Sequence, residues 1–160
     1  ADKDVKDIRN LIESGSKVLL SNSGNIAPAL YPEYIRSLLK ANGEITTMDI
    51  PESDIFDGIE PLETRYLNNN KRESPSVISG AYRINRNPNV EALASFIQIH
   101  GYLSGDVNDR MKRLDQIKGF PIVKITDKGA VLLSEIRFEK ATTDPVAAKL
   151  LVNMLIDLIK

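Results

Sequence analysis

The stretch Ser21-Asn22-Ser23-Gly24-Asn25 gathers residue types that can hold an anion: hydroxyls, side-chain amides and a glycine free to bend. It follows a short apolar run, Lys17-Val18-Leu19-Leu20, and precedes Pro28, a residue suited to the first turn of a helix. A hydroxyl-rich loop between a strand and a helix N-terminus is how open α/β sheets cradle phosphate. Ser21, Ser23 and Gly24 are therefore the candidate cofactor-binding residues, and a plain polar connection is the competing reading.

Other chemistry is thinner. A serine nucleophile of the α/β type occupies Gly-x-Ser-x-Gly, with a histidine later in the chain. That motif does not occur, and His100, in Ile99-His100-Gly101-Tyr102, reads as a packed or hydrogen-bonded side chain at an element end. The absence of cysteine removes disulfides, thiolate ligands and thiol nucleophiles, and a single histidine removes a multi-histidine metal site. Glycosidic cleavage needs two carboxylates about 5–10 Å apart across the bond. The 22 acidic residues are scattered and single out no pair. No catalytic residue, metal ligand or resident cofactor is assigned. The run Asn68-Asn69-Asn70-Lys71-Arg72, with Tyr66 and Tyr102, offers amides and aromatic faces, and it carries the alternative of a carbohydrate-binding module.

The loop at Ser21 resembles the phosphate loop of flavodoxins, Ser/Thr-x-Thr-Gly-x-Thr. Ser21, Ser23 and Gly24 match it, Ile26 stands at the last hydroxyl position, and there is no tryptophan to cover a flavin ring. A small flavin- or nucleotide-binding protein is a further alternative.

Charge narrows the partners. With 21 basic and 22 acidic residues the chain carries a formal charge of -1, so it has no long-range field for a nucleic-acid backbone or an anionic membrane. No apolar run approaches the roughly 20 residues of a membrane-spanning helix. Ala1-Asp2-Lys3-Asp4 lacks the order of a signal peptide and reads as a cut inside a longer, multidomain chain. At 160 residues and 42% hydrophobic, residues 1–160 are expected to form one domain.

The elements that must position these residues follow from periodicity. Val5, Ile8, Leu11 and Ile12 predict a first helix ended by Ser14-Gly15, and residues 17–20 predict a strand buried on both faces. Tyr31, Ile35, Leu38 and Leu39 predict a helix from Pro28 to Asn42-Gly43, followed by a strand over 44–50 parallel to the first. Residues 51–76 read as a long surface excursion, 77–84 as a strand, 89–99 as a helix on Val90, Leu93, Ala94 and Ile97, and 106–117 as a charged surface helix. Residues 120–125 and 130–138 predict an antiparallel hairpin around Thr126-Asp127-Lys128-Gly129. Asp144-Pro145 starts a last helix with a broad apolar face, which includes Leu151. The expected fold is α/β: a three-layer sandwich with helices on both faces of a mostly parallel sheet and a late antiparallel hairpin.

Gly15-Ser16-Lys17-Val18-Leu19-Leu20, the hairpin from Gly119-Phe120-Pro121-Ile122 through Lys128-Gly129-Ala130-Val131-Leu132-Leu133-Ser134, and Asp144-Pro145-Val146-Ala147 with Leu150-Leu151-Val152-Asn153 carry a second resemblance. Together they resemble the C-terminal glutamine-amidotransferase-like domain of bacterial glycoside hydrolases of the family 2 and β-galactosidase type. Ser16 departs from that pattern, as do residues 51–76. The resemblance implies a flavodoxin-like or class I glutamine amidotransferase-like fold. It also implies a non-catalytic accessory role in a periplasmic or extracellular hydrolase of β-linked sugars. The partners it implies are neighbouring domains of that hydrolase, a second copy of the chain, or carbohydrate. An active amidotransferase needs a cysteine nucleophile, so no functional residue carries over.

Overall fold

The computed structural model describes residues 2–43, 47–66, 77–97, 118–127 and 129–160. Helix α1 (Asp2–Glu13) leads into β1 (Val18–Ser21), a five-residue helix α2 (Ile26–Leu30), β2 (Ile35–Gly43) and β3 (Thr47–Met48). After 3₁₀ turns at Asp54–Phe56 and Glu63–Tyr66 come β4 (Ile78–Ile84), β5 (Val90–Ile97), β6 (Lys118–Ile125) and β7 (Val131–Ser134). A third 3₁₀ turn, Phe138–Thr142, precedes the last helix, here α3 (Pro145–Ile159).

The strands form one seven-stranded mixed sheet. Its parallel pair is β1 with β7, in register from Val18↔Val131 to Ser21↔Ser134. The other pairings among the described residues, β2·β4, β3·β5, β4·β6, β5·β6 and β6·β7, are antiparallel. This overturns the expected flavodoxin-like or amidotransferase-like sandwich with a mostly parallel sheet. The strand-helix-strand unit that would have built one is missing. α2 stops at Leu30, residues 35–43 are a strand, and the short β3 runs antiparallel to β5.

Both misread helices have the same cause. In β2, Ile35 pairs with Ile84 and Ser37 with Arg83, so one extra residue is inserted. In β5, Ala92 pairs with Val123 and Ala94 with Ile122, which makes Leu93 the extra residue. A bulge shifts the side-chain phase of a strand by one. Leu93 and Ala94, adjacent across the bulge, both face α3, while Val90 packs on the opposite side with Tyr82, so apolar residues at three-and-four spacing lie on a strand buried on both faces.

The hairpin is as expected. β6 and β7 pair from Ile122↔Ser134 to Ile125↔Val131, and Gly129 in the turn has φ +134, open to glycine and strained for any other residue. Residues 51–66 run largely over the surface, with Ile55, Phe56 and Ile59 buried beneath α3 as anchors. Residues 44–46, 67–76 and the helix expected over 106–117 lie outside the described residues.

Side-chain alternation divides the core between the two faces of the sheet. Leu19, Ile122 and Leu132 pack with α3 and the turn at Ile55. Val18, Leu20, Val123, Val131 and Leu133 pack with α1, α2 and Tyr82. α3 begins where Asp144 Oδ1 accepts the backbone N–H groups of Val146 at 3.0 Å and Ala147 at 2.9 Å, an N-cap with proline in the first turn. Ala147, Leu150, Met154 and Leu158 form its buried stripe, and Leu151 is half-buried at its edge. Leu150→Ala is expected to cost about 2–5 kcal/mol, whereas Ile159→Ala, 80% exposed on the other side, should stay within about 0.5 kcal/mol. Urea unfolding of the two variants measures both.

Candidate functional site

The polar cluster that stands out lies at the carboxyl ends of the parallel pair. Along β7 the residues facing Tyr82 are Val131 and Leu133, and the next position in that phase is Glu135. A carboxyl group therefore sits where the pleat calls for an apolar side chain. Glu135 is 3% exposed and Tyr82 fully buried. The Tyr82 hydroxyl donates to Glu135 Oε1 at 2.5 Å, within the short range of a charge-assisted bond. Ser23 Oγ lies 2.9 Å from the Tyr82 oxygen and 3.5 Å from Oε1, and Ser79 Oγ lies 3.2 Å from Oε2.

The loop over this cluster is strained at one residue. Asn22 takes φ +50, a left-handed conformation uncommon outside glycine though tolerated best by asparagine and aspartate. Its backbone N–H is held by the Ser134 carbonyl at 2.9 Å, and its side-chain oxygen accepts from Ser79 Oγ. Gly24 follows at φ +57.

Electrostatics here are governed by burial. Loss of water pushes the Glu135 carboxyl above the ordinary carboxylate range, and the hydroxyls of Tyr82, Ser79 and Ser23 pull it back only in part. Burial, then the Glu135 charge, pushes the Tyr82 hydroxyl far above the usual tyrosine range, so it stays a donor. A carboxyl shifted in this direction holds its proton to higher pH than an exposed one. At 3% exposure it does not reach a substrate in this conformation.

The residues singled out in the sequence are placed as follows. Ser21 Oγ donates to the Ile136 carbonyl at 2.8 Å, and Ser23 turns into the buried cluster, so both hydroxyls face protein. Gly24 leads into α2, which at five residues is too short to present a phosphate-binding N-terminus. The structure thus brings Ser23 together with Glu135 and Tyr82, and Gly24 serves the turn. His100, Tyr102 and the run from Asn68 to Arg72 lie outside the described residues. Sequence reasoning missed Glu135 and Tyr82. The available signal was phase: in Val131-Leu132-Leu133-Ser134-Glu135-Ile136 a carboxylate continues an inward-facing series.

A separate groove of about 300 Å³ lies between α1, the turn after α2 and the hairpin loop, lined by Arg9, Glu13, Tyr31, Glu33 and Asp127 among others. Tyr31 stacks on Tyr34 at 6.0 Å between ring centroids, and the Tyr34 hydroxyl donates to Asp127 Oδ2 at 2.8 Å. Burial, then Asp127 and Glu33, push the Tyr31 hydroxyl up to about 12. Among the described residues no group of three or more histidine, cysteine or acidic side chains is arranged to hold a metal ion.

Compared with family models, with curated proteins and with solved structures, the chain has no match in any of the three.

Tyr82→Phe should destabilise the fold by about 1–3 kcal/mol, because it leaves the buried Glu135 oxygen without its closest donor. The shift of the urea midpoint at neutral pH reads this, and an unchanged midpoint would mean that the bond adds nothing.

Proposed function

We propose that this chain is a non-catalytic accessory domain that docks, by the exposed flank of α3, on a neighbouring domain of a longer polypeptide. The observation that carries this reading is the distribution of charge around α3. Its charged residues are all engaged away from that flank. Lys149 donates to the Gly58 carbonyl, Asp157 pairs with Lys124 at 2.7 Å, and the capping Lys160 pairs with Asp54 at 2.5 Å. The flank left over is apolar: Val152 is 54% exposed, Leu155 48%, Ile156 42% and Ile159 80%. These residues recur at helical spacing and, with Leu19 of β1 and Lys17 at the rim, line a groove of about 390 Å³.

Contiguous exposed apolar surface on one helix marks an interaction site more often than chance exposure does. Four side chains fall well short of the roughly 800 Å² per partner that a stable complex between free proteins buries. A covalent neighbour needs less, because a short linker supplies an effective concentration in the millimolar range. The motif resemblance adds the class of that polypeptide, a glycoside hydrolase of β-linked sugars. Its fold expectation has been overturned, so the docking proposal rests on α3 and not on the resemblance.

Hydroxyl-radical footprinting tests this directly. Leu155, Ile156 and Ile159 should be labelled in the isolated chain and protected in the full-length polypeptide. Equal labelling in both, or a gene product with no further domain, would overturn the reading.

The groove beside Tyr31 supports a second reading, a carbohydrate contact, since a half-buried aromatic face ringed by carboxylates and an arginine suits a sugar ring. Saturation-transfer NMR with a β-linked disaccharide should then show transfer to the sugar protons that Tyr31→Ala abolishes, and no transfer in the parent chain removes this reading.

A further inference from the structure

The groove beside Tyr31 holds more carboxylate than its own cations offset. Among the described residues that line it, Glu13, Glu33 and Asp127 stand against a single guanidinium, that of Arg9. The ion pairs among the described residues engage Asp49, Asp54 and Asp157, and none of these three. Arg9 is held elsewhere, because its Nη2 donates to the Ala29 carbonyl at 3.3 Å. We propose that the groove is a binding site for a small organic cation, a primary ammonium held among Glu13, Glu33 and Asp127 with its carbon body on the Tyr31 ring.

Each part of such a ligand has a counterpart. The half-buried Tyr31 ring is braced from behind by the buried Tyr34, with 6.0 Å between centroids and 22° between planes. Its π face attracts a cation and packs against methylene or ring carbons, and the exposed Pro32 extends that surface. Asp127 spends one oxygen on the Tyr34 hydroxyl at 2.8 Å, which fixes the hairpin loop beside the groove and leaves the other oxygen to accept. An ammonium carries three donors, one for each carboxylate. The Tyr31 hydroxyl senses the same balance of charge: burial first, then Asp127 and Glu33, push it up to about 12, and Arg9 acts in the opposite sense. It therefore stays protonated at neutral pH and adds no charge of its own.

Other occupants fit less well. Among the described residues no three acidic side chains are arranged to hold a metal ion. A neutral ligand can lie on the ring but leaves the carboxylates uncompensated, and an anionic one is repelled by them. At about 300 Å³ the groove is at the lower end of small-molecule sites, so the carbon body is a short chain or a single ring. The charge requirement is the same for either body. It does not depend on the docking of α3, and it adds to the carbohydrate reading of this groove the sign of the charge that the ligand carries.

A ¹⁵N-resolved titration of the intact chain, followed at the amides of residues 9, 13, 31 and 33, compares two pairs of probes: n-butylammonium with n-butanol, and glucosamine with glucose. At about pH 6, below the range in which amines lose their proton, only one member of each pair is charged. The ammonium is expected to bind about 4- to 25-fold more tightly than its neutral partner in at least one pair, from an aromatic contact and a carboxylate contact of about 2- to 5-fold each. The pair that shows this identifies the carbon body, and the comparison needs no variant to fold. Glu33→Gln should weaken the ammonium about 2- to 5-fold and Arg9→Gln should strengthen it, a pair of opposite signs that misfolding cannot imitate. Equal affinity within both pairs, or an ammonium whose affinity ignores both substitutions, would overturn the cation site and leave the carbohydrate reading standing if the sugars bind. No shift with any of the four probes would overturn both.

Discussion

Strand β6 carries three partners, and a strand has only two edges, so two of them must share one. β7 takes residues 122–125, β4 meets it at Phe120, and β5 runs along 118–125. Through these three, every other strand is attached: β1 by β7, β2 by β4 and β3 by β5. The crowding is resolved at Gly119. A Cβ there would stand 2.6 Å from the Ala81 Cβ, closer than side-chain carbons approach, so the meeting of β4 and β6 requires a residue without one. The mixed, branching sheet is a consequence of that close approach, and a doubly wound parallel sheet has no place for it.

The two faces are then covered by different means. α1 and α2 are short, and the 5-residue α2 has little helical stability of its own, so that face relies on Tyr34, Ile35 and Tyr82 to fill it. The opposite face is covered by one long helix fixed at its start by Asp144 and tied across the sheet by Lys124 to Asp157. Asn153 adds hydrogen bonds to the Ile55 and Asp57 carbonyls, which bind the 3₁₀ turn at Asp54–Phe56 to the same flank. α3 is thereby committed on one side to its own domain, with its polar groups spent there. That commitment is what leaves the other side bare.

Much of the chain was legible from spacing. The hairpin at Gly129, the strand at 77–84, the first helix and the capped last helix each follow a local rule that the tertiary structure leaves intact. The two strands read as helices follow a local rule that a neighbour overrides: Leu93 is an extra residue only because Ala92 and Ala94 pair with consecutive residues of β6. Nothing within residues 89–99 states that. The same limit applies to the core stripe of α3, where Leu150 and Leu151 are alike in type and only packing against Ile55 and Phe56 decides which turns inward. Glu135 was legible from its phase on β7, but its partner is a tyrosine 53 residues away, and no sequence spacing joins a carboxyl to such a partner.

Both the buried cluster and the docking flank use β1 and the residue after it. Leu19 lines the groove beside α3, and Asn22, three residues on, belongs to the cluster on the opposite face. Between them stand the register pairs of Leu20 and Ser21 with β7, the Ser21 bond to the Ile136 carbonyl and the Asn22 backbone bond to Ser134. The strand is thus fixed by backbone bonds along the stretch that separates the groove from the cluster. The buried cluster and the docking flank are separate consequences of one fold: the first of a carboxyl placed in an apolar phase, the second of a helix whose charges all face the same way.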